Sequence, residues 1–183
     1  LRKTHQGPRR SMRGLAMMAV LLLSFSAMGC LAATATADSA QAPAQGPGVY
    51  RIVNAASGTA LRAYKSGGTI FVSSTLENPG PFELWEIAQA EDGYTIKNVG
   101  LSLNGPPANA SARQTEQGEP VVTGSAPTTW SIRPAGGGTF VIKVPNDDLL
   151  WNAEPPVIPR GDVRLRGADG SAAQRWRLEL IRD

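Results

Sequence analysis

Three near-equal sequence units predict an all-β fold of the β-trefoil class, with about twelve strands in three pseudo-repeats. Trp85, Trp130 and Trp176 recur at intervals of 45 and 46 residues, and Gly48, Gly93 and Gly138 at intervals of 45. Between these landmarks the apolar residues come in short runs separated by Gly, Pro, Asn and Asp, which is the punctuation of strands and turns rather than of helices. A period of this size means units that cannot bury an apolar face alone and must pack on one another.

Each unit opens with glycine and an alternating strand: Gly48-Val-Tyr50-Arg-Ile52-Val-Asn54, Gly93-Tyr94-Thr-Ile96-Lys-Asn98, and Gly138-Thr-Phe140-Val-Ile142-Lys-Val-Pro-Asn146. Each closes on tryptophan flanked by aliphatics, around Trp85-Glu-Ile87, Trp130-Ser-Ile132 and Trp176-Arg-Leu178-Glu-Leu180. Period-2 alternation points Tyr50, Ile52, Ile96, Phe140, Ile142 and Leu178 inward and leaves Arg51, Lys97, Lys143 and Arg177 in water. The three closing tryptophans are expected in the core. Two inner strands per unit complete the set: 60–64 with 69–73, 101–104 with 121–123, and 149–152 with 163–166.

The trefoil is expected over residues 48–183, behind a leader at 1–37 and a linker at 38–47. Arg2, Lys3, Arg9, Arg10 and Arg13 precede an uncharged stretch from Gly14 to Ala37, with its apolar centre at 15–25 and Ala35-Thr36-Ala37 at its end. A basic segment, an apolar segment and an A-x-A pattern make a secretory signal, and the apolar density is too short for a spanning helix of about 20 residues. The chain begins at Leu1, so residues 1–11 read as an extended start with Met12 as the natural initiator. Residues 38–47 are small residues, Pro and Gln, with nothing large to bury. The expected location is extracellular, or cytoplasmic if the leader is not genuine.

Removal of the leader changes the chemistry. The formal net charge of the whole chain is +3, but from Asp38 onward 13 Lys and Arg face all 15 Asp and Glu, a net charge of −2. Strong nucleic-acid binding needs clustered positive charge and is discounted. His5 and Cys30 leave with the leader, so the mature domain has neither residue type. That excludes a Ser–His–Asp triad, a Cys nucleophile with a His base, and ordinary His/Cys zinc ligation. Catalytic residues, cofactors and metals are all expected to be absent, and the protein is not expected to be an enzyme.

Several groups invite a role. Asp147-Asp148 is the conspicuous carboxylate pair, but neighbouring turn residues diverge rather than flank one bond, so it reads as a solvated turn. Arg160, Arg164, Arg166, Arg175 and Arg177, interleaved with Asp162, Asp169 and Glu179, read as a solvated face rather than an anion site. Asn109-Ala110-Ser111 is a glycosylation sequon in a Gly/Pro/Asn-rich insertion and is expected in a surface loop. Gln174-Arg-Trp176 is the Q-x-W element of ricin-type carbohydrate-binding trefoils, but Glu83-Leu-Trp85 and Thr128-Thr-Trp130 stand at the other two positions. Sugar sites in those lectins need a hairpin carboxylate and an aromatic platform in one lobe, which the sequence does not assemble, so Gln174 reads as structural.

The segments Gly48–Asn54, Asn78-Pro-Gly-Pro-Phe-Glu-Leu-Trp85, Gly93–Asn98 and Asp148-Leu-Leu-Trp-Asn152 resemble the mushroom β-trefoil serine protease inhibitors, the cospin-like family, from Gly48 to the C-terminus. The likeness to ricin-type lectins is more distant. The fungal family implies a rigid scaffold whose exposed loop enters a protease active site, trypsin-like enzymes being the usual target and the loop between the second and third strands the usual reactive element. Here that loop is Tyr64-Lys65-Ser66-Gly67-Gly68, with Lys65 at its tip. A trypsin-like pocket ends in a carboxylate, so an extended backbone offering Lys65 would bind as substrate does. Proline-stiffened Pro159-Arg160-Gly161 is the competing loop. The family generally lacks a secretory leader, whereas a leader is expected in this chain. The expected partner is a serine protease, with glycans as the alternative and no nucleic acid or, once the leader is gone, membrane; the domain is expected to be a monomer.

Overall fold

The alternating segments fold into strands that put their apolar residues on one side. The computed structural model describes residues 46–75 and 77–183; the leader and residues 38–45 of the expected linker lie outside the described residues. In the opening strands β1 (Gly48–Asn54), β5 (Gly93–Asn98) and β9 (Thr139–Lys143), Tyr50, Ile52, Ile96, Phe140 and Ile142 are buried. Arg51 is exposed, whereas Lys97 and Lys143 are half-buried beside Glu86 and Asp148, at 2.9 and 3.0 Å. The closing strands are β4 (Leu84–Ala90), β8 (Ser131–Gly136) and β12 (Trp176–Arg182).

Each repeat pairs its opening strand with its own closing tryptophan: Tyr50 faces Trp85, Tyr94 faces Trp130 and Phe140 faces Trp176. Between repeats, β4 pairs with β5, β8 with β9, and β12 with β1. The six strands therefore close into a barrel, which leaves none of them as an open edge.

Three hairpins cap the barrel: β2 (Leu61–Arg62) with β3 (Phe71–Ser73), β6 (Asn109–Ser111) with β7 (Val122–Gly124), and β10 (Leu149–Ala153) with β11 (Arg160–Gly167). They meet in a ring of backbone hydrogen bonds. Ile70 N–H donates to Val121 O at 2.9 Å, Val121 N–H to Val163 O at 3.0 Å, and Val163 N–H to Ile70 O at 2.9 Å. All three residues are fully buried, so the ring satisfies polar groups that water cannot reach. It marks the pseudo-threefold axis, and the fold is a β-trefoil.

The three closing tryptophans are fully buried, as their position predicts, and each indole N–H reaches a hairpin carbonyl of its own repeat. Trp85 Nε1 donates to Leu61 O at 3.0 Å, Trp130 Nε1 to Ala110 O at 2.9 Å and Trp176 Nε1 to Trp151 O at 3.2 Å. Trp151 is a fourth buried tryptophan, edge-on to Trp130 at 5.1 Å and to Trp176 at 6.3 Å between ring centres. Among the described residues its own N–H has no partner.

Two sequence expectations are corrected in the second repeat. Residues 101–104 do not form a strand: Val99–Ser102 is a short helix, α1, because the buried Asn98 side chain accepts from Leu101 N–H at 3.0 Å and caps the turn. Gly100 allows this, since a Cβ there would lie 2.7 Å from the Phe82 ring. The displaced hairpin strand is β6, so Asn109 lies in a strand and not in a surface loop. It is 7% exposed and its Nδ2 donates to Ser125 O at 3.0 Å, which leaves the sequon nitrogen engaged in the folded domain.

Replacing Trp85 by Phe strands a buried carbonyl, whereas replacing Trp151 by Phe removes an N–H that bonds nothing. Denaturant unfolding is expected to place Trp85→Phe below Trp151→Phe in stability by about 1–3 kcal/mol.

Candidate functional site

The loop between β2 and β3 is built from its ends inward. Tyr64 leaves the hairpin edge-on to Phe71 and Phe82, with ring centres 5.6 and 5.7 Å away, and its hydroxyl donates to Glu77 Oε1 at 3.0 Å. Partial burial, and then the Glu77 bond, raise the Tyr64 pKa, so this hydroxyl stays a neutral donor in ordinary conditions. The chain then turns over Lys65–Gly68, with Gly68 N–H returning to Lys65 O at 3.0 Å. Gly67 holds φ = +78° at the third position, the left-handed backbone that a type II turn requires and that glycine adopts without strain.

A residue of the second repeat locks this turn. Thr123, 1% exposed in β7, donates its Oγ1 hydrogen to Lys65 O at 2.8 Å and accepts from Gly67 N–H at 3.0 Å. Its backbone adds two further bonds, from Gly67 N–H to Thr123 O and from Thr123 N–H to Gly68 O, each 2.9 Å. Lys65 and Ser66 stand exposed above this clamp. Among the described residues the Lys65 ammonium has no ion-pair partner. Beside the turn lies a groove of about 580 Å³ between Ser66, Pro106, Arg113 and Ala126.

This geometry corrects one expectation. Lys65 opens the turn rather than forming its tip, and its carbonyl accepts two bonds from its own chain. The loop presents the lysine side chain outward, but not the free, extended peptide of a substrate.

The competing loop differs in what its cation does. Arg160 opens β11 with its guanidinium 3.6 Å from the centre of the Phe71 ring, and its Nε and Nη2 both donate to Asp162 Oδ1, at 3.2 and 3.1 Å. Pro159 O accepts from Ser74 N–H at 2.9 Å, and Gly161 is buried opposite Val72, where a Cβ would come within 2.5 Å of Glu154 O. This segment is therefore tied to β3, and Phe71 links it to Tyr64: the two candidate loops occupy one face of the domain.

The neighbouring arginines also serve the scaffold. Arg166 holds Glu154 through two bonds of 2.8 Å, and Arg164 donates to Gly118 O at 2.8 Å. The Arg166 guanidinium, more than the other neighbours, holds the Glu154 carboxyl below its ordinary pKa. Gln174 is buried as a brace: its Nε2 donates to Gly167 O at 2.8 Å and its Oε1 accepts from Asp169 N–H at 2.9 Å.

The indole-bonded carbonyls define equivalent hairpin positions in the three repeats, and the residues that follow them are Arg62, Ser111 and Asn152. None is a carboxylate. Arg62 is 6% exposed, bonds Thr75 Oγ1 at 3.0 Å, and lies beneath a polar cleft of about 270 Å³ edged by Arg51, Arg177, Glu83 and Glu179. Among the described residues Tyr64 is the one exposed aromatic side chain. Sequence reasoning missed Thr123, which sits in an unremarkable Val-Val-Thr-Gly run; only its place across from the first-repeat loop gives it a role.

A family profile described as ricin-type β-trefoil lectin domain-like matches residues 81–155, from the end of the first repeat into the third hairpin. No curated protein matches the chain. Among solved structures the chain is similar to the Rhizoctonia solani agglutinin, with 18% identity over 76% of this chain and 99% of that one, at a TM-score of 0.64. It is similar to the Macrolepiota procera ricin B-like lectin solved with lactose, at 18% identity, 76% and 99% coverage and a TM-score of 0.62. It is also similar to a proteinase inhibitor from Coprinopsis cinerea, at 14% identity, 75% and 99% coverage and a TM-score of 0.59. The shared property is the β-trefoil fold, which carries both lectins and an inhibitor.

Stability measurements should separate the two loop cations. Arg160→Ala is expected to cost about 1 kcal/mol through its lost ring and carboxylate contacts, and Lys65→Ala less than about 0.5 kcal/mol. The lowered pKa of Glu154 means that its contribution is complete above the unfolded carboxyl value and is lost as pH falls through the folded one. Glu154→Gln should therefore flatten the acid limb of a stability–pH profile.

Proposed function

We propose that this protein inhibits serine endopeptidases, trypsin-like enzymes foremost, and does so as a secreted binding protein without catalysis of its own. The observation that supports this most is the exposed, unpaired Lys65 on a turn clamped from the second repeat by Thr123. A lysine-specific protease pocket ends in a carboxylate that this ammonium can meet, and a turn already ordered before binding loses little conformational entropy on association. Tyr64, Ser66 and Gly67 form the flanking contact surface. Arg160 has its guanidinium engaged within the domain and serves in this reading to support Phe71 and Tyr64, with Pro159 and Gly161 tying the segment to β3. The leader at 1–37 supports a place outside the cell.

Carbohydrate binding is the second reading, favoured by the match of residues 81–155 to the lectin-like profile. Against it stand Arg62, Ser111 and Asn152 where a hairpin carboxylate is needed, and four tryptophans too deeply buried to stack on a sugar ring.

Purified residues 48–183 are expected to inhibit trypsin, with Lys65→Ala weakening inhibition by at least about tenfold, the scale of one lost charged contact, and Arg160→Ala weakening it less. Unchanged inhibition in Lys65→Ala would remove that residue from the contact. Saturable binding on a glycan array with no protease inhibited would establish the lectin reading instead.

A further inference from the structure

We infer that Thr123 makes the Lys65–Ser66 peptide bond resistant to the lysine-specific proteases that its side chain attracts, so that the loop binds without being a substrate. This deepens the inhibitor reading of the same loop and rests on Lys65 entering the protease pocket.

Cleavage follows a fixed sequence of bond changes. The protease serine Oγ adds to the Lys65 carbonyl carbon while the carbonyl oxygen becomes an oxyanion held by the protease's own N–H donors. The C–N bond to Ser66 then breaks, the Ser66 nitrogen leaves with a proton, and water releases the Lys65 carboxylate. The first step needs the Lys65 oxygen to face the protease. Here that oxygen is turned into the domain, where it accepts from Thr123 Oγ1 at 2.8 Å and from Gly68 N–H at 3.0 Å. Thr123 is 1% exposed and anchored in β7, so the carbonyl cannot rotate outward without breaking both bonds and leaving the Thr123 hydroxyl hydrogen without an acceptor in the interior. Gly67 N–H donates to the same Oγ1, which makes the hydroxyl both donor and acceptor for one turn. Thr123 is thus a positioning residue that acts through the backbone of Lys65 and does not touch the protease.

The experiment incubates the domain spanning residues 48–183 with trypsin and maps cleavage by mass spectrometry. The wild type should remain intact at Lys65–Ser66. Thr123→Val keeps the shape and removes the hydroxyl, and should be cut at that bond faster by on the order of tenfold or more, the equivalent of one buried hydrogen bond. Thr123→Ser restores the hydroxyl and should restore resistance. Ile87→Val, a small core deletion in β4, controls for general loss of stability and should remain uncut there. Rapid cleavage of the wild type at Lys65–Ser66, an uncut Thr123→Val, or equal cleavage of the Ile87→Val control would each overturn the inference. A wild type that is uncut yet fails to inhibit trypsin, with Thr123→Val cut, would overturn the inhibitor reading and leave the latch standing.

Discussion

Closure of the three hairpins around Ile70, Val121 and Val163 is the constraint on which the rest of the molecule depends. Each repeat gives one backbone N–H to the next and receives one, so no repeat can be satisfied alone. The short β2–β3 hairpin would be marginal in isolation, but here β3 pairs with β11 and the chain just before it bridges to Val122. The same closure sets the clamp. Because Ile70 must reach Val121, the Lys65–Gly68 turn is laid against Thr123, two residues further along, and inherits the rigidity of a buried strand.

A protein without histidine or cysteine in its folded domain has few ways to do covalent chemistry, and what this one offers instead is a shaped, ordered surface. The two cations that flank that surface are alike in the sequence and opposite in the structure. Arg160 is drawn onto the face of Phe71 and onto Asp162, as a planar guanidinium readily is. Among the described residues Lys65 has no such neighbour, and it remains in solvent. One becomes scaffold and the other a free charge on a fixed backbone, held one residue beyond an aromatic platform made by Tyr64.

The departures from threefold regularity also have local causes. In the second repeat the capping bond of Asn98 to Leu101 N–H starts a helix where the repeat pattern calls for a strand, and the strand moves eight residues along to Asn109. Nothing in the hydropathy of Leu101–Asn104 announces this, because a single side-chain hydrogen bond decides it. In the third repeat a tryptophan occupies the position held by Leu61 and Ala110. Its ring fills the space between Trp130 and Trp176, and its N–H has no partner among the described residues.

The sequence by itself determined the class and the core. A 45-residue period, alternating strands and three closing tryptophans suffice for a trefoil, because burial depends on spacing and side-chain size, both of which can be read along the chain. It also placed a lysine in the β2–β3 loop. What only the tertiary structure decided is what each exposed group is bonded to: that Arg160 is engaged and Lys65 is free, that Asn109 is buried, and that the Lys65 carbonyl points at Thr123. Those outcomes rest on contacts across 58 residues of sequence or on single hydrogen bonds, and neither leaves a periodic trace in the chain.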